Sequence, residues 1–193
     1  MKRLVWAVDG ALSVRLRDDL FTVAQMRESS FLQFFDIRSR TDDWDGIDLN
    51  RVDSLFVILV ANSTRALFER RLPKASYVPT TEPIPQRMLR TVSVRMLRDP
   101  APSSRGFDLV ELGPGNSTVD ARIVKKDLAV PADLESLYRH ETTGMETSPV
   151  ALRDRLVRYF DTGVNFDDYK RIQIPDLPWP PPRRAPADIP WYH

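Results

Sequence analysis

The run Leu55-Phe-Val-Ile-Leu-Val-Ala61 constrains this chain most. Its continuous, partly β-branched apolar character suits a strand covered on both faces. Such a strand is expected at the centre of the core. A chain of 193 residues is long enough for one sizeable core with an appendage. Its 42% hydrophobic and 28% charged residues match an ordinary folded domain.

Ahead of that run, residues 11–36 read as a meander of antiparallel strands. "ALSVRL" places Leu12, Val14 and Leu16 on one face, "LFTVAQM" follows a turn at Arg17-Asp18-Asp19, and "SFLQFFDI" follows Glu28-Ser29-Ser30. After it, "NSTRALFERRLP" admits two readings: a short helix capped by Ser63, or an extension of the strand. Prolines 79, 83 and 85 make "YVPTTEPIPQR" an extended loop, and a strand is expected to return at "TVSVRML". "FDLVEL" and "STVDARIV" flank Gly113-Pro114-Gly115-Asn116 as a hairpin.

Two helices follow. "PADLESLYRHET" reads as a short one, stopped near Gly144. The next has its ends written out: Ser148 as N-cap, Pro149 at the first helical position, and Gly163 at the left-handed terminus. Leu152, Leu156, Tyr159 and Phe160 form its apolar stripe, with Arg153, Asp154, Arg155 and Arg158 assigned to the other face. The last 20 residues carry seven prolines, which prevents regular hydrogen-bonded structure, and Trp179, Trp191 and Tyr192 favour a packed strap over a free tail. The expected fold is α+β: a mainly antiparallel, strongly bent β-sheet or small open barrel with two C-terminal helices and a proline-rich strap. One domain is expected over residues 1–165, β-rich to 126 and helical from 127, with an arm over 166–193.

Chemistry is sparse. The absence of cysteine removes disulfides, thiolate metal sites and cysteine nucleophiles, and a reducing compartment permits it. Asp9 and Gly10 interrupt the first apolar stretch, so the chain reads as cytoplasmic. A formal charge of +1 favours no nucleic acid partner. The histidines are His140 and His193, neither within a catalytic motif, and "GPG" at 113–115 lacks the third glycine of a phosphate loop. The pairs Asp18-Asp19 and Asp167-Asp168 read as turn formers. Asp43, Asp45 and Gly46 imitate part of a calcium loop, but Thr41 and Val52 stand at the positions that need its first and last carboxylates. No enzyme, cofactor or metal is therefore assigned. "PWPPPR" at 178–183 matches a polyproline ligand, which leaves a scaffold or regulatory domain recruiting a partner through its tail as the alternative function.

The segment "VDGALSVRLRDDLFTVAQMRESSFLQFFDI", with "LFVILVA" and "VPTTEPIP", resembles the immunity protein 26 family of bacterial polymorphic-toxin systems. The shared pattern is a glycine opening an apolar strand, a charged turn, an aromatic-bearing strand ending in Gln25, and a strand toward Phe34, Phe35 and Asp36. The resemblance covers residues 5–90 and, more weakly, "LRDRLVRYFDTG". It implies an immunity protein that binds a cognate toxin one to one and neutralises it, with no catalysis and no membrane partner. On that footing Asp42, Asp43, Trp44, Asp45 and Asp48 are the candidate toxin contacts, an aromatic anchor ringed by negative charge that suits a basic cleft. The other reading of the same loop has Trp44 folded back on the core and the acids solvated.

Overall fold

The computed structural model describes residues 5–95 and 105–192. Met96 and Leu97, the end of the strand expected at "TVSVRML", lie outside the described residues, as does His193. Eleven strands are described: β1 Ala11–Arg17, β2 Leu20–Met26, β3 Phe31–Phe35, β4 Ile47–Asp48, β5 Ser54–Val60, β6 Phe68–Arg71, β7 Tyr77–Val78, β8 Arg87–Thr91, β9 Phe107–Gly113, β10 Ser117–Lys125 and β11 Met145–Glu146. The helices are α1 Val92–Arg95, α2 Leu134–Arg139, α3 Pro149–Thr162 and α4 Tyr169–Gln173.

The fold is α+β, and its six-stranded sheet curls into a half-barrel in the order β11-β5-β3-β2-β1-β6. The chain divides into two compact units. The first gathers the residues up to Pro83, Glu146–Asn165 and the segment from Pro181 on; the second comprises Ile84–Met145 and Phe166–Pro180. The arm expected over 166–193 is thus shared, its first part folding with the second unit and its last part with the first.

In the first unit, β1 pairs antiparallel with β2 and β6, β2 with β3, and β3 with β5. The period of two in a strand sends alternate residues to opposite faces, and here both faces are buried. One face carries Leu12, Val14, Leu32, Phe34, Phe56 and Ile58, and α3 lays Leu152, Leu156, Tyr159 and Phe160 on it. The opposite face carries Ala11, Val23 and Phe35, covered by Trp44, Ile47, Leu49, Leu72 and Tyr77. This explains why β2 is buried along its whole length and why Leu55–Val60 is continuously apolar.

α3 has the boundaries its sequence announces. The Ser148 side chain accepts from the Ala151 amide, Pro149 opens the helix, and Gly163 takes φ +75° while its amide donates to Tyr159 O. Arg155 departs from the expected polar face: it is buried, with its guanidinium 4.0 Å from the centre of the Phe56 ring and its Nε bonded to Asn165 Oδ1. Burial of its long apolar stem, with the charge placed on a ring face, is what a helical wheel cannot foresee. "NSTRALFERRLP" follows neither reading as stated: a 3-10 turn over Asn62–Leu67 starts after Ala61 with no side-chain cap, Ser63 donating to Thr147 O instead, and β6 is a separate strand paired with β1 rather than an extension of β5.

The second unit is built on the sheet β10-β9-β8. The hairpin turn falls where expected, with Gly115 and Asn116 at positive φ. The strand expected at "TVSVRML" is displaced: β8 runs from Arg87 opposite Glu111 to Thr91 opposite Phe107, and the chain then turns into α1. The length of the β9 partner sets those limits, and a partner is invisible to local pattern. α2 ends at Arg139, before Gly144, and α4 was not signalled by periodicity. Trp179 packs on Phe166 with ring centres 5.2 Å apart, and Tyr138 Oη donates to Pro178 O.

Candidate functional site

The acidic loop is part of the core's lid rather than a loose turn. Trp44, Ile47 and Leu49 point inward, with Trp44 only 1% exposed. Its indole Nε1 donates to Ser13 Oγ at 3.1 Å, so the small, fully buried serine of β1 is the notch that accepts the ring. A buried indole needs such a partner, since an unmet N–H costs more than the bond contributes. The other side of the ring is stacked by Tyr192, with centres 5.4 Å apart.

The backbone of the loop is fixed as firmly. Gly46 adopts φ +81°, a conformation costly to any residue with a Cβ, and its amide donates to Ser76 O at 2.8 Å. β4 then pairs in parallel with β7, Ile47 opposite Tyr77. The Tyr192 hydroxyl donates to the carbonyl of Asp45, and that hydroxyl is held above the usual tyrosine range, first by burial and then by the Asp43 and Asp45 charges.

The four aspartates have separate tasks. Asp42 is engaged by Arg70, which binds both its carboxylate and its carbonyl. Asp48 accepts from the side chain and the amide of Asn50, each at 3.0 Å, and this pair of bonds, the side-chain one first, pulls its carboxyl below the usual range. Asn50 in turn holds Pro79 O and the Thr81 amide, so Asp48 ties the loop to the proline-rich segment. Asp43 accepts from the Asp45 amide at 3.2 Å, closing a local turn. Asp43 and Asp45 are exposed, and among the described residues no cation pairs with either.

One expectation about this site is therefore corrected. Trp44 is not an exposed anchor: it is the loop's root, and the reading in which it folds back on the core is the one observed. Asp42 is held by Arg70 of β6 and Asp48 by Asn50, while Asp43 and Asp45 are the exposed charges that no cation among the described residues pairs with. The tryptophan at the surface nearby in sequence to the stacked Tyr192 is Trp191, 46% exposed, with the Arg38 and Arg40 guanidinium carbons 4.2 and 5.0 Å from its ring centre. Sequence reading missed it because the segments are joined only by the fold; Arg38 and Trp191 form a parallel bridge.

The other candidates fall in unremarkable places. His140 is half-buried at the end of α2, and burial lowers its pKa from 6.5. Asp18 pairs with Arg15 at 2.8 Å and Asp19 with Arg17 at 3.2 Å. Asp167 accepts from the Tyr169 amide as a turn former. Among the described residues no group of three or more His, Cys, Asp or Glu could hold a metal ion. No helix among them is long and apolar enough to cross a membrane. The arginine of "PWPPPR" is engaged at home: Arg183 donates to Leu55 O at 2.9 Å and Ser54 O at 3.0 Å.

No curated protein and no solved structure matches the chain. A family model described as a domain of unknown function, DUF8309, matches residues 1–179. That match spans both compact units, and the chain belongs to the DUF8309 family.

Proposed function

We propose that the protein is an immunity protein: a non-enzymatic cytoplasmic antitoxin that binds a cognate toxin one to one through its acidic loop. The observation that carries this reading is the fixed presentation of Asp43 and Asp45. Two outward carboxylates that pair with no cation among the described residues stand on a backbone held by Trp44, by the Gly46 to Ser76 hydrogen bond and by Tyr192. A surface ordered in advance avoids the entropy cost of ordering on binding, and paired negative charges steer it toward a basic cleft. The resemblance to immunity protein 26 supplies the identity of the partner class; the loop supplies the means.

The test is protection of cells. The gene is expressed beside the toxin encoded by its upstream neighbour, either as wild type or as the Asp43→Lys/Asp45→Lys variant. The reading expects survival with the wild type and death with the variant at equal protein levels. Death with the wild type rejects the antitoxin function, and survival with the variant rejects the loop as its means.

A further inference from the structure

The outer end of β1, the turn before β6 and the start of α3 enclose a groove of about 430 Å³ that shares no residue with the acidic loop. Its chemistry is divided. Leu16, Ala66, Leu67, Pro149 and Val150 supply apolar lining, and Val150 is 52% exposed there. Arg15, Arg17 and Arg153 supply the charge, against Asp18 and Glu69.

The three arginines are not equally occupied. Arg17 is gripped by Asp161 at 2.9 Å and Asp19 at 3.2 Å, which keeps its stem in place along the groove. Among the described residues Arg15 pairs only with Asp18, whose side chain is 98% exposed, and a pair so open to water is a weak competitor for a better-placed carboxylate. Arg153 forms no ion pair with any described residue and projects from the first turns of α3. Ser148 already caps the Ala151 amide, so the helix end contributes a wall and the arginines contribute the attraction.

We infer that this groove binds a short acidic peptide segment of a partner protein, an aliphatic side chain on the apolar lining and flanking carboxylates on Arg15 and Arg153. Guanidinium groups recognise carboxylates by paired, charge-assisted hydrogen bonds. The volume lies within the range of pockets that take small ligands, room enough for one aliphatic side chain and its flanking groups. The lining favours a peptide over a nucleic acid, which would use its arginines on phosphates and look for aromatic rings on which to stack its bases; no aromatic residue lines the groove. Glu69 opposes the ligand's charge and sets a limit on affinity.

The experiment uses the full chain and two fluorescein-labelled peptides, Asp-Glu-Leu-Asp-Glu and its amide counterpart Asn-Gln-Leu-Asn-Gln, read by fluorescence polarisation at low salt. The acidic peptide is expected to bind at least tenfold more tightly than the amide. Arg153→Ala should weaken it about fivefold, Arg15→Ala/Arg153→Ala more than tenfold, and Glu69→Gln should tighten it two- to threefold. Arg153 and Glu69 are exposed, so unchanged thermal melting of these variants separates lost binding from lost fold. Equal binding of the two peptides, no effect of Arg15→Ala/Arg153→Ala, or no binding of the acidic peptide overturns the inference. Displacement by inorganic phosphate as efficient as by unlabelled acidic peptide also overturns it, because the site would then be one for simple anions.

Discussion

At the residue scale, Trp44 shows how one position changes meaning between sequence and structure. Four neighbouring aspartates suggest an exposed ring, yet the ring is spent on the core. Truncation of such a buried aromatic leaves a cavity as well as lost contacts, so Trp44→Ala should cost about 3–5 kcal/mol in urea unfolding, while Trp44→Phe should cost much less. Equal and negligible losses would mean the ring is not packed as described. The alternation of Leu12, Val14 and Leu16 was legible because strand period is local. The burial of Trp44 was not, because it depends on the Ser13 notch 31 positions away and on Tyr192 from the other end of the chain. His140 supplies a second residue-scale expectation. Burial lowers its pKa from 6.5 in the folded state, so the unfolded chain binds a proton that the folded chain resists. Its contribution to stability is whole above that value and is lost as the pH falls below it toward the lowered one. The urea midpoint should drop between pH 7.5 and pH 5 and do so less steeply in His140→Gln; identical slopes would remove His140 as the cause.

At the scale of elements, α3 and the strap are a contrasting pair. The caps of α3 were readable because each is a property of one residue at one position. The path of the strap was not, since prolines forbid regular structure without saying where the chain goes. Its course is set by contacts far apart in sequence. Ile189 enters the core, Arg38 donates to Pro186 O at 2.7 Å, and Arg184 reaches Asp53 at 3.0 Å and the buried Asp36 at 3.4 Å. Asp36 also accepts from Tyr159 Oη at 2.6 Å, a bond that, after burial, holds that phenol in its protonated form. The strap crosses the end of α3 so closely that a Cβ on Gly163 would lie 1.9 Å from Arg184 O, on a backbone already at φ +75°. Gly163→Ala should therefore destabilise by at least about 1–3 kcal/mol from the backbone conformation alone. A variant ending at Pro180 should speed hydrogen exchange at the Asp45 and Gly46 amides, because Tyr192 no longer braces the loop. Unchanged exchange there would separate the strap from the loop.

At the scale of the whole molecule, an α+β fold with a curled, mainly antiparallel sheet follows from features visible in the chain: an uninterrupted apolar strand, a meander before it and capped helices after it. The assembly of the first unit from three separated segments was beyond such reading, because nothing local marks residues 146–165 and 181–193 as returning to the sheet begun at Ala11. The candidate site shares that character. Its acids lie within seven residues of one another, but the supports that make it rigid come from Ser13, Arg70, Ser76 and Tyr192. The central claim is that this rigid pair of carboxylates binds a basic protein partner. The most direct measurement is titration calorimetry of the purified chain with the protein encoded by the upstream neighbouring gene, the toxin on the proposed reading, comparing wild type with Asp43→Lys/Asp45→Lys. The account predicts one-to-one binding by the wild type and at least a hundredfold weaker binding by the variant, a change of about 2.7 kcal/mol. Equal affinities for the two, with both chains folded, would contradict it.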